Sequence, residues 1–208
     1  MNNKIHSTAV ISTSARIGNN NKFGPYCYVG PNVQIGDNNN FEGYVSIGMP
    51  AEHRSFFGQY GTIEIGNDNT VREFVTINSS TFGVTKMGNG CIMLRGSHLS
   101  HDSILEDNVN VSCNVLIGGE TRVMYGANLG LGCIIHQRQL IGSLSMIGMG
   151  CVITKSQVIA PGGIYVGNPA RFLKTNKVGI TRAGFNDEDI KKEIERFEKI
   201  RGQHVNTK

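Results

Sequence analysis

The chain has 208 residues, 39% of them hydrophobic and 7% aromatic, no tryptophan, and a formal net charge of +4. No apolar run reaches the ~18 residues that span a bilayer as a helix, and the scarcity of aromatics argues against a stacking platform for single-stranded nucleic acid. The modest positive charge suits an anionic ligand without identifying one.

The first residues, MNNKIHSTAV, lack the charged-then-apolar pattern of a secretory leader, so a cytoplasmic location is the expectation. From there a six-residue phase takes over. Ile11, Ile17, Phe23, Val29, Ile35, Phe41 and Ile47 form a first apolar series. Ile65, Val71 and Ile77 form a short second one. The third runs every six residues from Met87 through Leu99, Ile117 and Ile135 to Ile159. None of the 23 positions in the three series is polar. Two places before them the residue is often small, as at Ala15, Cys27, Cys91, Ser97, Ser103, Cys133 and Cys151. This placement reads the cysteines as small buried residues rather than disulfides or metal ligands. One place after them glycine recurs, at Gly18, Gly36, Gly66, Gly88, Gly118 and Gly148 among others, and is expected to supply a flexible corner.

One large inward residue per six, with frequent small residues and corners, predicts an all-β solenoid in which three units close one triangular coil. Ordinary strands alternate with period two and would not hold a six-residue phase for so long. The phase breaks at 49–61 (MPAEHRSFFGQYG) and at 78–85 (NSSTFGVT), and loops leaving a rigid scaffold are favoured places for binding residues. After Ile159 the repeat fades through turns at 160–163 and 167–170. The expected division is a solenoid over 1–170 and a short helical region over 171–208. In the latter, Asn186 caps a helix whose Ile190, Ile194, Phe197 and Ile200 share one face, and the final RGQHVNTK is expected to be loose.

Three histidines draw attention. His98 and His101 flank the inward Leu99, and His136 follows the inward Ile135 nearly two coils later. A histidine near neutrality can take a proton from a hydroxyl as that oxygen attacks a carbonyl. One chain keeps these histidines apart along its axis, so a neighbouring chain is expected to complete the site. A metal centre needs three or four converging ligands, which this spacing supports weakly.

The sequence resembles the UDP-N-acetylglucosamine O-acyltransferase family of lipid A biosynthesis. The resemblance rests on REFVTIN at 72–78, TKMG at 85–88, SHLSHDS at 97–103, the His136–Gln137 pair, Gly167–Asn168 and NKVGITRAGF at 176–185. It implies a left-handed parallel β-helix of hexapeptide repeats and a homotrimer. The implied reaction moves an acyl group from an acyl carrier protein or CoA thioester to the 3-position hydroxyl or amine of a nucleotide sugar. No bound cofactor is implied, because the donor carries its own phosphopantetheine. Within that family pattern His101 resembles the general base, His98 and His136 its supporting histidines, and Gly119 a backbone N–H facing the thioester oxygen. Gln137 resembles a residue touching the sugar nucleotide. Asn168 and Arg182 resemble residues touching nucleotide or phosphopantetheine, and Met149 falls where the family limits acyl length.

The departures matter as well. Where the family usually has Gln-Asp-x-Lys, this chain has Glu52, His53, Arg54 and Ser55, so His53 is expected to alter the choice of sugar. The helical region is also short, and the Gly167-to-Ala170 turn is common among CoA-dependent sugar acetyltransferases. Such an acetyltransferase for surface polysaccharide is therefore the alternative. A zinc enzyme resembling carbonic anhydrase, using His98, His101 and His136, is the reading from another class. A β-helix scaffold without catalysis is a third.

Overall fold

The computed structural model describes residues 2–205, with side chains through Gln203. The chain winds as a left-handed parallel β-helix whose short strands stack into three sheets of ten, eight and seven strands. We call these faces A, B and C. Each coil contributes one strand to each face. Adjacent coils pair in parallel at a constant offset of eighteen residues through most of the chain, as in His98↔Leu116 and Leu116↔Ile134 on face B. Backbone hydrogen bonds such as Leu116 N–H to Cys133 O at 3.1 Å tie one coil to the next.

The six-residue phase is the phase of the core. Every residue of the three apolar series is buried except Ile11 and Ile17, which lie near the N-terminal end of the stack and are partly buried. The small residues Cys27, Cys91, Ser97, Ser103, Cys133 and Cys151 are buried beside them. Burial pushes the Cys91 thiol up to about 11 and the Cys133 thiol up to about 12, which keeps both thiols protonated and unreactive.

The expectation that the glycine following each inward residue makes the corner is corrected. The left-handed residue sits three places after the inward one, and asparagine, aspartate or a large residue often fills it, as at Asn20, Tyr26, Asn38, Asp102 and Glu120. Gly118 is not left-handed. It is required because a Cβ there would lie 2.6 Å from Gln137 N and 2.9 Å from Ile135 O of the next coil. Asparagine has a second use. Asn21, Asn39 and Asn69 form a buried ladder in which the Asn39 and Asn69 amides donate to the asparagine one coil before, at 3.0 and 2.9 Å, and all three donate to a backbone carbonyl. These side chains satisfy backbone groups where the coil leaves sheet geometry.

Both breaks in phase leave the same edge of the prism. Residues 50–61 connect Ser46–Met49 on face B to Thr62–Ile65 on face C, and residues 79–83 connect Thr76–Asn78 to Val84–Met87 between the same two faces. We call this edge the B–C corner.

At the C-terminal end Gly163–Val166 closes face A, and Arg171–Thr175 folds back antiparallel on it. The region after residue 170 therefore begins as a strand. Helix α1 (Lys177–Arg182) follows, with Asn176 Oδ1 accepting from Gly179 N at 3.1 Å and its amide donating to Leu144 O. Helix α2 spans Asp187–Val205, and Asn186 accepts from the backbone N–H groups of Glu188 and Asp189 as expected. The expected four-residue apolar face is narrower in fact. Phe197 is buried against Met124 and Leu140 with Ile200 beside them, whereas Ile194 is exposed. Ion pairs complete the seam: Glu106 accepts from both Arg122 and Arg196, and Ser143 donates to Glu193. Because α2 continues to Val205, residues 201–205 are helical rather than loose, while 206–208 lie outside the described residues. Among the described residues no helix is long and apolar enough to cross a membrane.

Candidate functional site

His101 sits in the B–C corner, two places beyond the inward Leu99, and is only 4% exposed. Its Nδ1 meets Asp102 Oδ2 at 2.9 Å. Neighbouring residues can pair this way because Asp102 is left-handed (φ 58°), which turns its side chain back across the corner. The carboxylate is itself held. It accepts from the backbone N–H groups of Thr81, Phe82 and Gly83 at 2.9, 3.0 and 2.7 Å, and its own N–H donates to Thr85 Oγ1. Burial alone would raise the Asp102 carboxyl, but the Thr81 N–H, the His101 ring and the other two N–H groups outweigh it and hold the group below its ordinary range. An ionised Asp102 accepts from His101 Nδ1–H, so His101 Nε2 is left as a lone pair. The second phase break therefore folds three backbone donors over the carboxylate that orients the histidine. Sequence reading quoted Asp102 within SHLSHDS without assigning it a part. Its place directly after a histidine and three positions beyond the inward Leu99 is the one sequence signal that could have marked it, and that spacing does not show what holds the carboxylate.

Gly119 lies one coil above His101. A Cβ there would fall 2.5 Å from His101 Nε2 and 2.6 Å from Cε1, so glycine leaves the room that the imidazole fills. The Glu120 N–H to His101 O bond and the Arg138 N–H to Gly119 O bond stack His101, Gly119 and the exposed Gln137 in one column.

His98 faces outward from face B, with Nδ1 2.7 Å from Thr76 Oγ1 and Nε2 3.9 Å from Glu52 Oε2. Burial holds its imidazole below the ordinary value, opposed by Glu52 and assisted by His101. The first phase break brings His53 over the corner: its ring centroid is 5.0 Å from that of His101 and 5.1 Å from Phe82, edge to face in both cases. His53, His98, His101, Gly119 and Gln137 thus share one corner. His136 shares it too, two coils along the axis from Ser100 and roughly 10 Å away, with Nδ1 2.9 Å from Gln137 O. His6 pairs with Thr8 in the first coil, and His204 lies outside the described side chains.

The other expected residues lie on different edges. Met149 and Asn168 belong to the corner between faces A and B, where Val152 N–H donates to Gly167 O. Met149 is 74% exposed, so its side chain does not belong to the core. Arg182 ends α1, whose cap is tied to Leu144 at the corner between faces C and A. Within one chain, then, the histidine corner, the Met149 edge and Arg182 do not converge. A groove of about 700 Å³ runs along face C past Arg16, Glu64 and Lys86, away from the histidines. A smaller one of about 360 Å³ lies against Asp102 between Phe82, Ile104, Glu120 and Arg122. Among the described residues no three histidine, cysteine or acidic side chains converge as metal ligands.

Residues 14–48 match the family model described as bacterial transferase hexapeptide (six repeats). A UDP-N-acetylglucosamine O-acyltransferase of Sinorhizobium fredii is 38% identical over 127 residues, covering 60% of this chain and 46% of the relative. One from a Janthinobacterium strain is 32% identical over 148 residues, 70% of this chain and 56% of the relative. The chain therefore spans about half the length of the curated relatives it matches. Among solved structures, LpxA from Acinetobacter baumannii superimposes with a TM-score of 0.79 at 29% identity, covering 93% of this chain and 83% of that one. LpxA from Bacteroides fragilis gives 0.77 at 29% identity, with 92% and 82% covered.

Proposed function

Because this chain belongs to the LpxA-like family of hexapeptide-repeat proteins, we propose that it transfers an acyl group from a phosphopantetheine thioester to a hydroxyl or amine of a nucleotide-activated amino sugar. The observation that carries the reading is the His101–Asp102 pair, whose carboxylate is locked by three backbone N–H groups. His101 Nε2 takes the proton as the acceptor oxygen or nitrogen attacks the thioester carbonyl. Asp102 stabilises the imidazolium that forms. The Gly119 N–H steadies the tetrahedral oxyanion. Collapse breaks the carbon–sulfur bond, and the departing thiolate takes the proton back from His101. No cysteine is needed as an acyl carrier.

His98 and His136 act as supporting groups, polarising or positioning the acceptor rather than taking its proton. His53 and Gln137 contact the sugar nucleotide. Asn168 and Arg182 meet the phosphates of the nucleotide or of the phosphopantetheine arm, and Met149 limits the acyl chain. These residues lie on several edges of the prism, so the reading requires a homotrimer in which neighbouring chains complete each site. An exposed apolar row supports this. Leu116 and Ile134, 46% and 45% exposed, follow His98 in the outward column of face B, with Val152 beyond them. Such a row is favoured to be covered by another protein surface.

The test crosses acyl carrier protein and CoA thioesters of several chain lengths with UDP- and dTDP-sugars, with products read by mass spectrometry. Transfer by the wild type and its loss in His101→Ala, with assembly and melting temperature retained, is the expected result. Near-wild-type turnover in H101A rejects the base, and a monomer mass near 22.6 kDa by light scattering rejects the shared site.

A further inference from the structure

Three exposed rings climb the corner between faces A and B. Tyr26, Tyr44 and Phe74 each stand where the chain passes from a face A strand to a face B strand, and they stack with centroids 5.1 and 5.2 Å apart. They are 57%, 50% and 55% exposed, and each has a left-handed backbone (φ 57°, 61° and 63°). Bulky side chains rarely adopt that conformation, and higher in the same column the chain uses Gly96, Asn114, Gly132 and Gly150. Winding the coil therefore does not call for these rings. On the opposite edge of face B, Phe57 at the tip of loop 50–61 is 87% exposed. The tip is folded on itself. Phe57 N–H donates to Gln59 Oε1, Gln59 Nε2 donates to Ser55 O, and Phe56 packs edge-on against Tyr60 at 5.6 Å.

Face B lies between these two edges. The acyl-transfer reading divides its site between the same two, with the histidines on the B–C corner and Met149 and Asn168 on the A–B corner. Turning face B of three chains toward one axis covers the apolar row from Leu116 to Val152 and sets the A–B corner of each chain beside the B–C corner of the next. Rotation about an axis parallel to the coils preserves height. Tyr44 directly precedes Ser46–Met49 and loop 50–61 directly follows it, so ladder and loop leave the same coil. Resting on that reading, we infer that the aromatic ladder of one chain receives Phe57 of the partner subunit and so positions, in trans, the loop that brings Glu52 and His53 to the histidines. Aromatic rings suit such a contact, being enriched where protein interfaces are most fully buried. From Gly96 upward, level with His98 and His101, the column carries no ring and leaves the cleft open for donor and acceptor. The four aromatic residues are positioning residues, and none meets the reacting atoms.

Cross-linking tests the contact directly. The double variant Tyr44→Cys, Phe57→Cys, treated with a short bis-maleimide under native conditions, should run as covalent dimers and trimers on a denaturing gel, with a peptide joining positions 44 and 57. Neither single variant should do so, because the native cysteines are buried or partly buried. A trimer by light scattering that yields no link between chains at these positions overturns the inference and leaves the acyl-transfer reading standing. A monomer overturns both. A linked trimer that transfers to no nucleotide sugar overturns the reading alone. Kinetics then separate positioning from assembly. Phe57→Ser and Tyr44→Ser should each raise KM for the nucleotide sugar about 10-fold with kcat and trimer mass kept, and Phe57→Tyr should stay near wild type. The two serine changes combined should be no worse than either alone, because both remove one contact. Additive losses, or an unchanged KM in the single variants, overturn the positioning. The cross-link decides even where the serine variants assemble poorly.

Discussion

Gly118 and Gly119 are adjacent, and alanine at each should fail in a different way. In Gly119→Ala the new methyl would lie 2.5 Å from His101 Nε2, 2.6 Å from Cε1 and 3.1 Å from Cδ2. Ordinary contact begins near 3.4 Å, so the ring must retreat by roughly 1 Å. Gly119 is not left-handed, so alanine fits its backbone, and the atoms it meets belong to a side chain at a corner rather than to the coil. A displacement of that size in a catalytic group costs about 100-fold in turnover, or roughly 2.7 kcal/mol of barrier. Gly118→Ala meets the backbone N of Gln137 at 2.6 Å and the carbonyl of Ile135 at 2.9 Å, across the hydrogen bonds that join two coils. That change should lower the melting temperature sharply. Turnover of nucleotide sugar by mass spectrometry, beside differential scanning fluorimetry, separates the two. G119A should keep its melting temperature and lose about 100-fold in kcat, and G118A should unfold early. Wild-type kcat in a well-folded G119A would refute the geometry of His101 described above.

Asp102→Asn should reduce kcat by about 10³- to 10⁴-fold, because an amide has one acceptor oxygen where four N–H donors now converge and the His101 tautomer is no longer fixed. Nitrogen shifts of His101 distinguish this cause from a loss of folding. For His98, burial holds the folded imidazole below its ordinary 6.5, so the unfolded chain binds the proton more readily. The stability present above pH 6.5 is then lost as pH falls through the lower folded value, and melting curves should show this slope flattened in His98→Gln. Met149→Gly should shift preference toward longer acyl donors by about 0.8 kcal/mol per methylene admitted, with little change in melting temperature because the residue is exposed. An identical chain-length profile would remove Met149 from the acyl site.

The six-residue apolar phase was legible in the sequence because each inward residue must fill the same narrow interior, coil after coil. Ile65 through Ile77 and Met87 through Ile159 are buried as that phase requires. Both loops were visible as breaks in it, since an inserted residue cannot stay in register with the coils above and below. The glycine pattern was visible but misread. Spacing alone does not tell a corner that needs a left-handed backbone from a position where a Cβ would strike the next coil, and Gly118 is the latter.

His101 could be picked out as a candidate base from the chemistry of imidazole and from the company of SHLSHDS. What orients it could not, because the Asp102 clamp depends on residues 81–83 of the preceding loop lying over the corner once the chain has wound one coil further to Asp102. The same limit applies to His53, which is 48 positions from His101 in sequence and 5.0 Å from it in space, with a tautomer set by the Ser55 N–H. The repeat, the core column and the candidate histidines are local or periodic properties, and these can be read along the chain. Which candidates share a corner, which nitrogen carries the proton, and the placing of Met149, Asn168 and Arg182 on other edges follow from the winding of the chain, because proximity across stacked coils is independent of distance along the sequence.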